Sequence, residues 1–437
     1  MSSGKSSRAF IPFAVFLPLL LSAPLSLPQE AERSAPVPGS ENIPFTIEHA
    51  DHYFQRRDSS GADRYFLQGA VKVSRRGSRI ECASLTYFPE LDYVLCLDSV
   101  RASDRDRNLS SDSLLYFVSQ AEYRALGNVR WSTAEFSGSG CRGDYYRNRE
   151  ELRVTGEAVA GDSLHEIRAD TLEYDFTTET LRARGRVELL ELKTGSRAEA
   201  SGAVYRRASR LSTLTGRPKV TYFGSADSLK RKAYHLTGDL LKSYANDSLC
   251  AAGRVRLQDD SLSITADSLF HDRAGGRSYF RGGPPRVEDP HYSLTGGNID
   301  ISSSGRALER IEAFPGARGE FYLEKGAKEL KNVLADSVPV VGSWIEGDTL
   351  KLFFAKGTLD SIAASGQARS YFRESAEAGV NYLQGARILL VWKAGALELV
   401  EVVRGGRGLY LPADSSAEIT VIPDSAGFKA SGDSLKK

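Results

Sequence analysis

Histidine, cysteine and carboxylate side chains are the residues here that could carry chemistry, and their spacing decides what they can do. His49 and His52 stand three positions apart, which on a helix would offer both imidazoles to one metal ion. Their neighbours alternate as in a strand, where positions three apart face opposite sides, so no metal site is expected. His165, His235, His271 and His291 lie near turn residues with no cysteine or acidic cluster beside them, and are expected on the solvated surface. Single aspartates recur at Asp112, Asp170, Asp239, Asp267 and Asp348. Calcium-binding β-rolls place several ligands on each short turn, so these isolated carboxylates are better read as turn formers at strand starts. Asp259 and Asp260 are adjacent and on a strand would point apart, so they cannot share a substrate. Nothing has the spacing of a nucleophile elbow, a phosphate loop or a dinucleotide fingerprint. A protein that is not an enzyme and holds no cofactor is therefore expected.

The four cysteines, Cys82, Cys96, Cys141 and Cys250, form no metal-type pair. If Pro89-Glu90 is the tip of a hairpin, Cys82 and Cys96 fall within one residue of directly opposite, near enough for a cross-strand disulfide. Two buried free thiols are the alternative, since cysteine is often simply core. Cys141 and Cys250 support no pairing.

These residues sit on a repeated element. A small residue, then Asp or Gly, then Leu with an aromatic two places on, is followed by a return segment ending in Gly-X-Val. The clearest copy runs Ala169-Asp170-Thr171-Leu172-Glu173-Tyr174 and returns through Leu181 to Gly185-Arg186-Val187. From Asp112 onward the copies start at 112, 144, 170, 202, 239, 267 and 298, in steps of 26 to 37 residues. Within a copy the apolar residues alternate: Leu172, Tyr174 and Phe176 share one face, as do Leu181, Ala183, Val187 and Leu189. Period two means strand. Breaker clusters such as Thr194-Gly195-Ser196 and Ala274-Gly275-Gly276 separate the strands, and no helical periodicity of useful length follows residue 40. A two-stranded unit cannot bury its apolar face alone, so an all-β fold of tandem strand pairs forming two facing antiparallel sheets is expected.

The apolar stripe of these copies comprises Tyr87, Leu114, Tyr116, Leu172, Tyr174, Phe176, Val187, Leu189, Leu269, Leu350, Leu352 and Phe354. Periodicity alone allows it to be either a closed core or the lining of a groove. Lys plus Arg number 57 and Asp plus Glu 56 among 437 residues, so no field of one sign recruits nucleic acid. At the N-terminus, Lys5 and Arg8 precede an apolar run from Ala9 to Leu21 that is short for a membrane span. Residues 1–40 read as a secretory signal peptide and linker, with cleavage between Ser22 and Ala35 favoured over a retained anchor. Residues 412–437, rich in Ser, Asp and Lys, read as a disordered tail. Between them, 41–411 form one repeat region of one or two modules, with no break assigned.

Ile47-Glu48-His49-Ala50-Asp51-His52 leads to Leu67-Gln68-Gly69-Ala70-Val71-Lys72-Val73 and then to Ile80-Glu81-Cys82-Ala83-Ser84-Leu85-Thr86-Tyr87. An acidic entry strand, then G-x-V-x-V, then a strand of the "a-D-x-L-x-Y" kind resembles the OstA-like family, to which the lipopolysaccharide-transport protein LptA and the N-terminal domain of LptD belong. Weaker copies extend the resemblance from about residue 43 to residue 411. In the Ser84 strand, Ser stands where the family pattern favours Asp. The chain is also longer than a single such module and lacks a large C-terminal barrel pattern. The resemblance implies an elongated, open, twisted jelly-roll in the periplasm, in some members associated with the outer membrane. Its groove would hold the acyl chains of lipopolysaccharide or a related lipid, which makes the stripe above lipid-binding. It also implies partners among other lipopolysaccharide-transport components, joined by edge-strand pairing, and head-to-tail oligomers. The last hairpin, Ile388–Trp392 with Leu397–Val403 about Ala394-Gly395, would leave a free edge suited to such pairing. A structural envelope scaffold with a closed β core and no ligand is the alternative. A β-helical carbohydrate-acting enzyme is disfavoured, because no acidic or aromatic cluster marks one exposed face.

Overall fold

The structure is a computed structural model that describes residues 46–411 except 76, 224–232, 245–246, 260–261, 291, 305–306, 323–340, 356–357, 374–379 and 394–395. The expected signal peptide, tail, His291 and Ala394-Gly395 turn lie outside the described residues. The described residues are all-β: antiparallel strands, two single 3-10 turns and no α-helix. They divide into two compact units, an N-terminal one within residues 15–260 plus 268–275, and a C-terminal one of 261–267 and 276–437.

In the N-terminal unit each strand pairs with the next in chain order. The series is Asp63–Arg75, Ser78–Phe88, Tyr93–Asp104, Arg107–Phe117, Glu122–Ser132, Ser137–Tyr146, Glu151–Gly161, His165–Asp175, Thr180–Glu191 and Arg197–Arg206. Beyond it the strands come in two halves. Leu211–Thr215 and Lys219–Phe223 both pair with Arg197–Arg206, and Ala233–Thr237 and Leu240–Tyr244 both pair with Ser248–Gln258. The C-terminal unit has the same split. One ladder runs Arg286–Asp289, Tyr292–Thr295, Ala317–Tyr322, Val341–Gly347, and another runs Arg277–Arg281, Asn298–Ser304, Ala307–Phe314, Thr349–Ala355. Both end on Thr358–Arg373, the first ladder begins on Ser263–Asp272, and with that strand ten close into a barrel.

The split has a local cause. Between the pairs Thr171↔Arg184 and Arg168↔Glu188, two residues of one strand, 169 and 170, oppose three of the other, 185 to 187. This is a β-bulge, which bends the strand and re-aims its side chains. Ile167 and Ala169 are buried before it and Leu172 and Tyr174 after it, so the step of three positions from 169 to 172 reverses the alternation. The partner keeps its buried set at Leu181, Ala183, Val187 and Leu189. One face therefore stays apolar on both sides of the corner.

The repeat motif is this corner. Gly185 has φ +72° and is followed by Arg186 at φ +44°, a left-handed pair that glycine makes accessible at its first position. A Cβ on Gly185 would lie 3.0 Å from Cβ and Cγ of Asp170 and closer still to Oδ2, so the carboxylate fills the space that glycine leaves. The same fit joins Asp51 to Gly69, Asp112 to Gly127, Asp239 to Gly253, Asp267 to Gly282 and Asp348 to Gly366. Asp112, Asp170 and Asp267 thus stand at mid-strand bulges and not at strand starts as expected, whereas Asp239 and Asp348 directly precede the strands Leu240–Tyr244 and Thr349–Ala355, at strand starts as expected.

Several expectations are corrected by the register. Cys141, over Gly156, and Ser201, over Gly216, take the corner place in two copies, so the copy starting near 144 begins three residues earlier, and Asp112, Cys141 and Asp170 are evenly 29 apart. Asp144 is instead buried beneath Arg124 and Arg142. In the Ser84 strand the residue at the corner is Ala83, and the opposing bulge carries Asp98 and Ser99 at φ +64° and +54° in place of glycine. The hairpin expected at Pro89-Glu90 closes through a 3-10 turn, Pro89–Leu91, with Asp92 left-handed. That added length and the bulge place Leu85 opposite Cys96 and Val71 opposite Cys82. The two thiols are free and buried, and a hydrogen bond between them holds Cys82 below the ordinary thiol range while it and burial push Cys96 well above. His165 and His271 are buried, not solvated, because both fall on the inward face of their strands.

Candidate functional site

Nine of the twelve stripe residues lie on the buried face: Leu114, Tyr116, Leu172, Tyr174, Val187, Leu189, Leu269, Leu350 and Leu352. Tyr87, Phe176 and Phe354 are half-buried, with Tyr87 stacked on Tyr65 at 6.0 Å between ring centres. Leu114, Leu172, Val187, Leu269 and Leu350 are 2% exposed or less and serve as close-packed core. Tyr174, at 9% exposed, and Leu189, as buried as those five, also face a void. They line a cavity of about 500 Å³ in the N-terminal unit, together with Trp131, Phe136, Ile167, Leu181 and Tyr205. Phe176 lines a much smaller void with Tyr123 and Tyr145.

The alternation that places Tyr174 and Leu189 inward also places Ile167, Leu181 and Tyr205, so these were within reach of the repeat pattern. Trp131 was too, since it follows Val129 by two places as Leu189 follows Val187, but Phe136 was not, because it lies in a turn outside the repeat. Gly138 stands directly opposite Trp131, and a Cβ there would come within 2.6 Å of the indole, so the missing side chain is what lets the ring lie flat. Phe136 is brought over the cavity by a tight turn: Thr133 N–H donates to the Phe136 carbonyl at 2.8 Å, and Thr133 Oγ1 accepts from the N–H groups of Glu135 and Phe136. Its ring meets Tyr174 edge-on at 5.2 Å and Trp131 at 6.4 Å.

The rim is polar, formed by Glu135, Asp162, Glu166, Glu179, Arg207 and Arg210. Arg207 makes a two-pronged ion pair with Glu135, its Nη2 donating to Oε1 at 2.7 Å, and its Nη1 lies 3.7 Å from Glu179. This pair ties the Thr133–Phe136 turn to the turn that follows Arg197–Arg206. A second tie of the same kind joins Arg147 Nε to Asp104 Oδ2 at 3.1 Å and Arg107 to Glu150, with Arg107 also donating to Tyr145 Oη at 2.6 Å. Burial pushes the phenols of Tyr174 and Tyr145 up to about 12. Both stay neutral at any physiological pH, so neither Tyr174 in the cavity nor Tyr145 in the smaller void adds a charge. An interior of neutral aromatic and aliphatic groups with charges confined to the rim suits an apolar guest.

The chain matches no known family profile and no curated protein. Among the described residues no three His, Cys, Asp or Glu side chains gather as metal ligands, and His49 instead faces Asp51 at 3.3 Å. No described helix is long and apolar enough to cross a membrane. At the two ends of the described residues, Thr46–His49 and His52–Arg57 pair with Asp63–Arg75, and Ala396–Val403 and Arg407–Leu411 pair with Val380–Lys393. Large apolar groups stand exposed on both, including Tyr53 and Phe54 on the first and Leu399 and Tyr410 on the second.

Proposed function

We propose that this chain is an exported, periplasmic lipid carrier that takes part in lipopolysaccharide transport and outer-membrane assembly, holding acyl chains between the two halves of its bent strands in an open, twisted jelly-roll. The observation that carries this reading is the cavity of about 500 Å³ lined by Trp131, Phe136, Ile167, Tyr174, Leu181, Leu189 and Tyr205. Burial of a methylene is worth about 0.8 kcal/mol, so a chain of about a dozen carbons gains about 10 kcal/mol, enough to compete with a membrane. The exposed end strands support edge-to-edge pairing with other transport components or with further copies of the chain.

A closed scaffold without a ligand is the second reading. Leu114 at 1% exposed and Leu350 at 0% support it, since they are core and not lining. A photo-crosslinking residue placed at Tyr174, and separately at the outward Glu173, distinguishes the two in cells. Lipopolysaccharide adducts at position 174 and not at 173 are expected. Adducts at neither position would sink the carrier reading.

A further inference from the structure

On the polar face of the N-terminal unit lies a second, larger cleft of about 990 Å³. Arg101, Ser110, Arg130 and Ser139 stand in register across four neighbouring strands along it. One row over, Asn108, Ser132 and Ser137 are likewise in register. The acidic groups here have their own partners: Glu81 meets Arg79 at 3.2 Å, Glu166 meets Arg168 at 2.7 Å, and Asp162 accepts from the backbone N–H groups of Leu164 and His165. Among the described residues neither Arg101 nor Arg130 is in an ion pair. Two guanidinium groups separated by a hydroxyl, with more hydroxyls beside them, form a surface of donors with uncompensated positive charge.

This cleft meets the apolar cavity at the strand ends. Trp131, Gly161, Asp162, His165 and Glu166 line both. At that boundary Trp131 is 6% exposed, yet its Nε1 is buried with no acceptor. His165 Nδ1 is buried there too without a hydrogen bond, its approach to Asp162 being badly aligned. A buried donor without an acceptor is costly, and both stand where an apolar lining gives way to a polar one.

Resting on the lipid-carrier reading, we infer that the cleft binds the phosphorylated headgroup of the same amphiphile whose chains fill the cavity. Arg101 and Arg130 hold the phosphate oxygens as forked donors, which matches guanidinium geometry better than a neutral sugar would require. Ser110, Ser132 and Ser139 complete the shell, and the junction at Trp131 is where chain becomes headgroup. The cleft thereby selects among lipids that the apolar cavity alone would accept equally.

The test uses the full mature chain with Trp344→Phe and Trp392→Phe, leaving Trp131 as the only indole. Its fluorescence is followed on addition of dodecyl phosphate, dodecanol or inorganic phosphate, with Arg101→Gln/Arg130→Gln compared at equal thermal stability. Dodecyl phosphate is expected to bind about tenfold more weakly to the double variant, with added salt eroding the difference, while dodecanol binds both alike. Equal affinity of the parent for dodecyl phosphate and dodecanol overturns the headgroup site and leaves the carrier reading intact. Inorganic phosphate binding as tightly as dodecyl phosphate overturns it in favour of a free-anion site. Binding of neither amphiphile removes the carrier reading, and this inference with it.

Discussion

At the corner of the N-terminal unit, Asp170 fills the space above Gly185, a neighbour in the ladder only 15 positions along the chain. At the cavity rim of the same unit, Glu135 holds Arg207, 72 positions away, through charge. The first contact is steric and backbone-determined. The second joins two partly exposed side chains, at 45% and 34% of their free exposure, and surface pairs of this kind are worth about 0–1 kcal/mol. The fold is therefore fixed at its bends and only lightly fastened at its rim, a division of labour that the proposed carrier role would call for.

That contrast is broken most directly at Gly185. Valine there must adopt a left-handed backbone and overlap Asp170, and strain of these kinds costs about 1–3 kcal/mol for the backbone alone. A loss of about 3 kcal/mol or more is expected, read as a large fall in the denaturation midpoint. Adding Asp170→Ala to the same chain relieves only the overlap, so recovery is expected to be partial. Full recovery would show that the left-handed geometry does not matter, and the corner would lose its claim to be backbone-determined.

At the rim the expected effect on stability is smaller. Glu135→Gln is expected to cost less than about 1 kcal/mol while raising the rate at which a bound fluorescent fatty acid exchanges several-fold, measured by stopped-flow displacement. Stability falling as far as in the Gly185 variant would erase the difference between the two regions.

The smallest effect tests the charge at a corner. Arg254 donates to both oxygens of Asp239 and holds its carboxyl below the ordinary range. A depressed carboxyl stabilises the fold above its unfolded value of about 3.9, and the contribution fades as pH falls through the lower folded value. Asp239→Asn should therefore cost a small amount of stability that is fully present near neutral pH, and the difference from the parent should fade as pH falls below about 4. A loss at neutral pH as large as that of the Gly185 variant would mean the corner depends on charge as well as shape.

Strand character, the repeat and the inward placement of Tyr174 and Leu189 are legible in the sequence because each recurs with a fixed local period. The bulge was visible as Gly-X-Val and Asp-X-Leu, but its meaning was not, since no single strand reveals that the two motifs face each other. An extra residue also shifts every later position, which is why the expected starts at 144 and 202 moved and why Cys82 and Cys96 missed direct opposition. Phe136 and the Glu135–Arg207 pair left no trace, being set by a turn and by strands far apart in the chain. His165 and His271 were misjudged from neighbouring turn residues, when the parity of their own strands decided their burial.

The even interval of the corner column, 112 to 141 to 170, makes length a countable property. Each corner-to-corner segment adds two strands, or about 10 Å at the usual strand spacing, and begins and ends on the same face in the same phase. The unit can thus be lengthened or shortened in whole increments by duplication or excision between equivalent corners, without re-registering what lies on either side. Evolution, or an engineer, can set the length of such a unit as one sets a chain by its links.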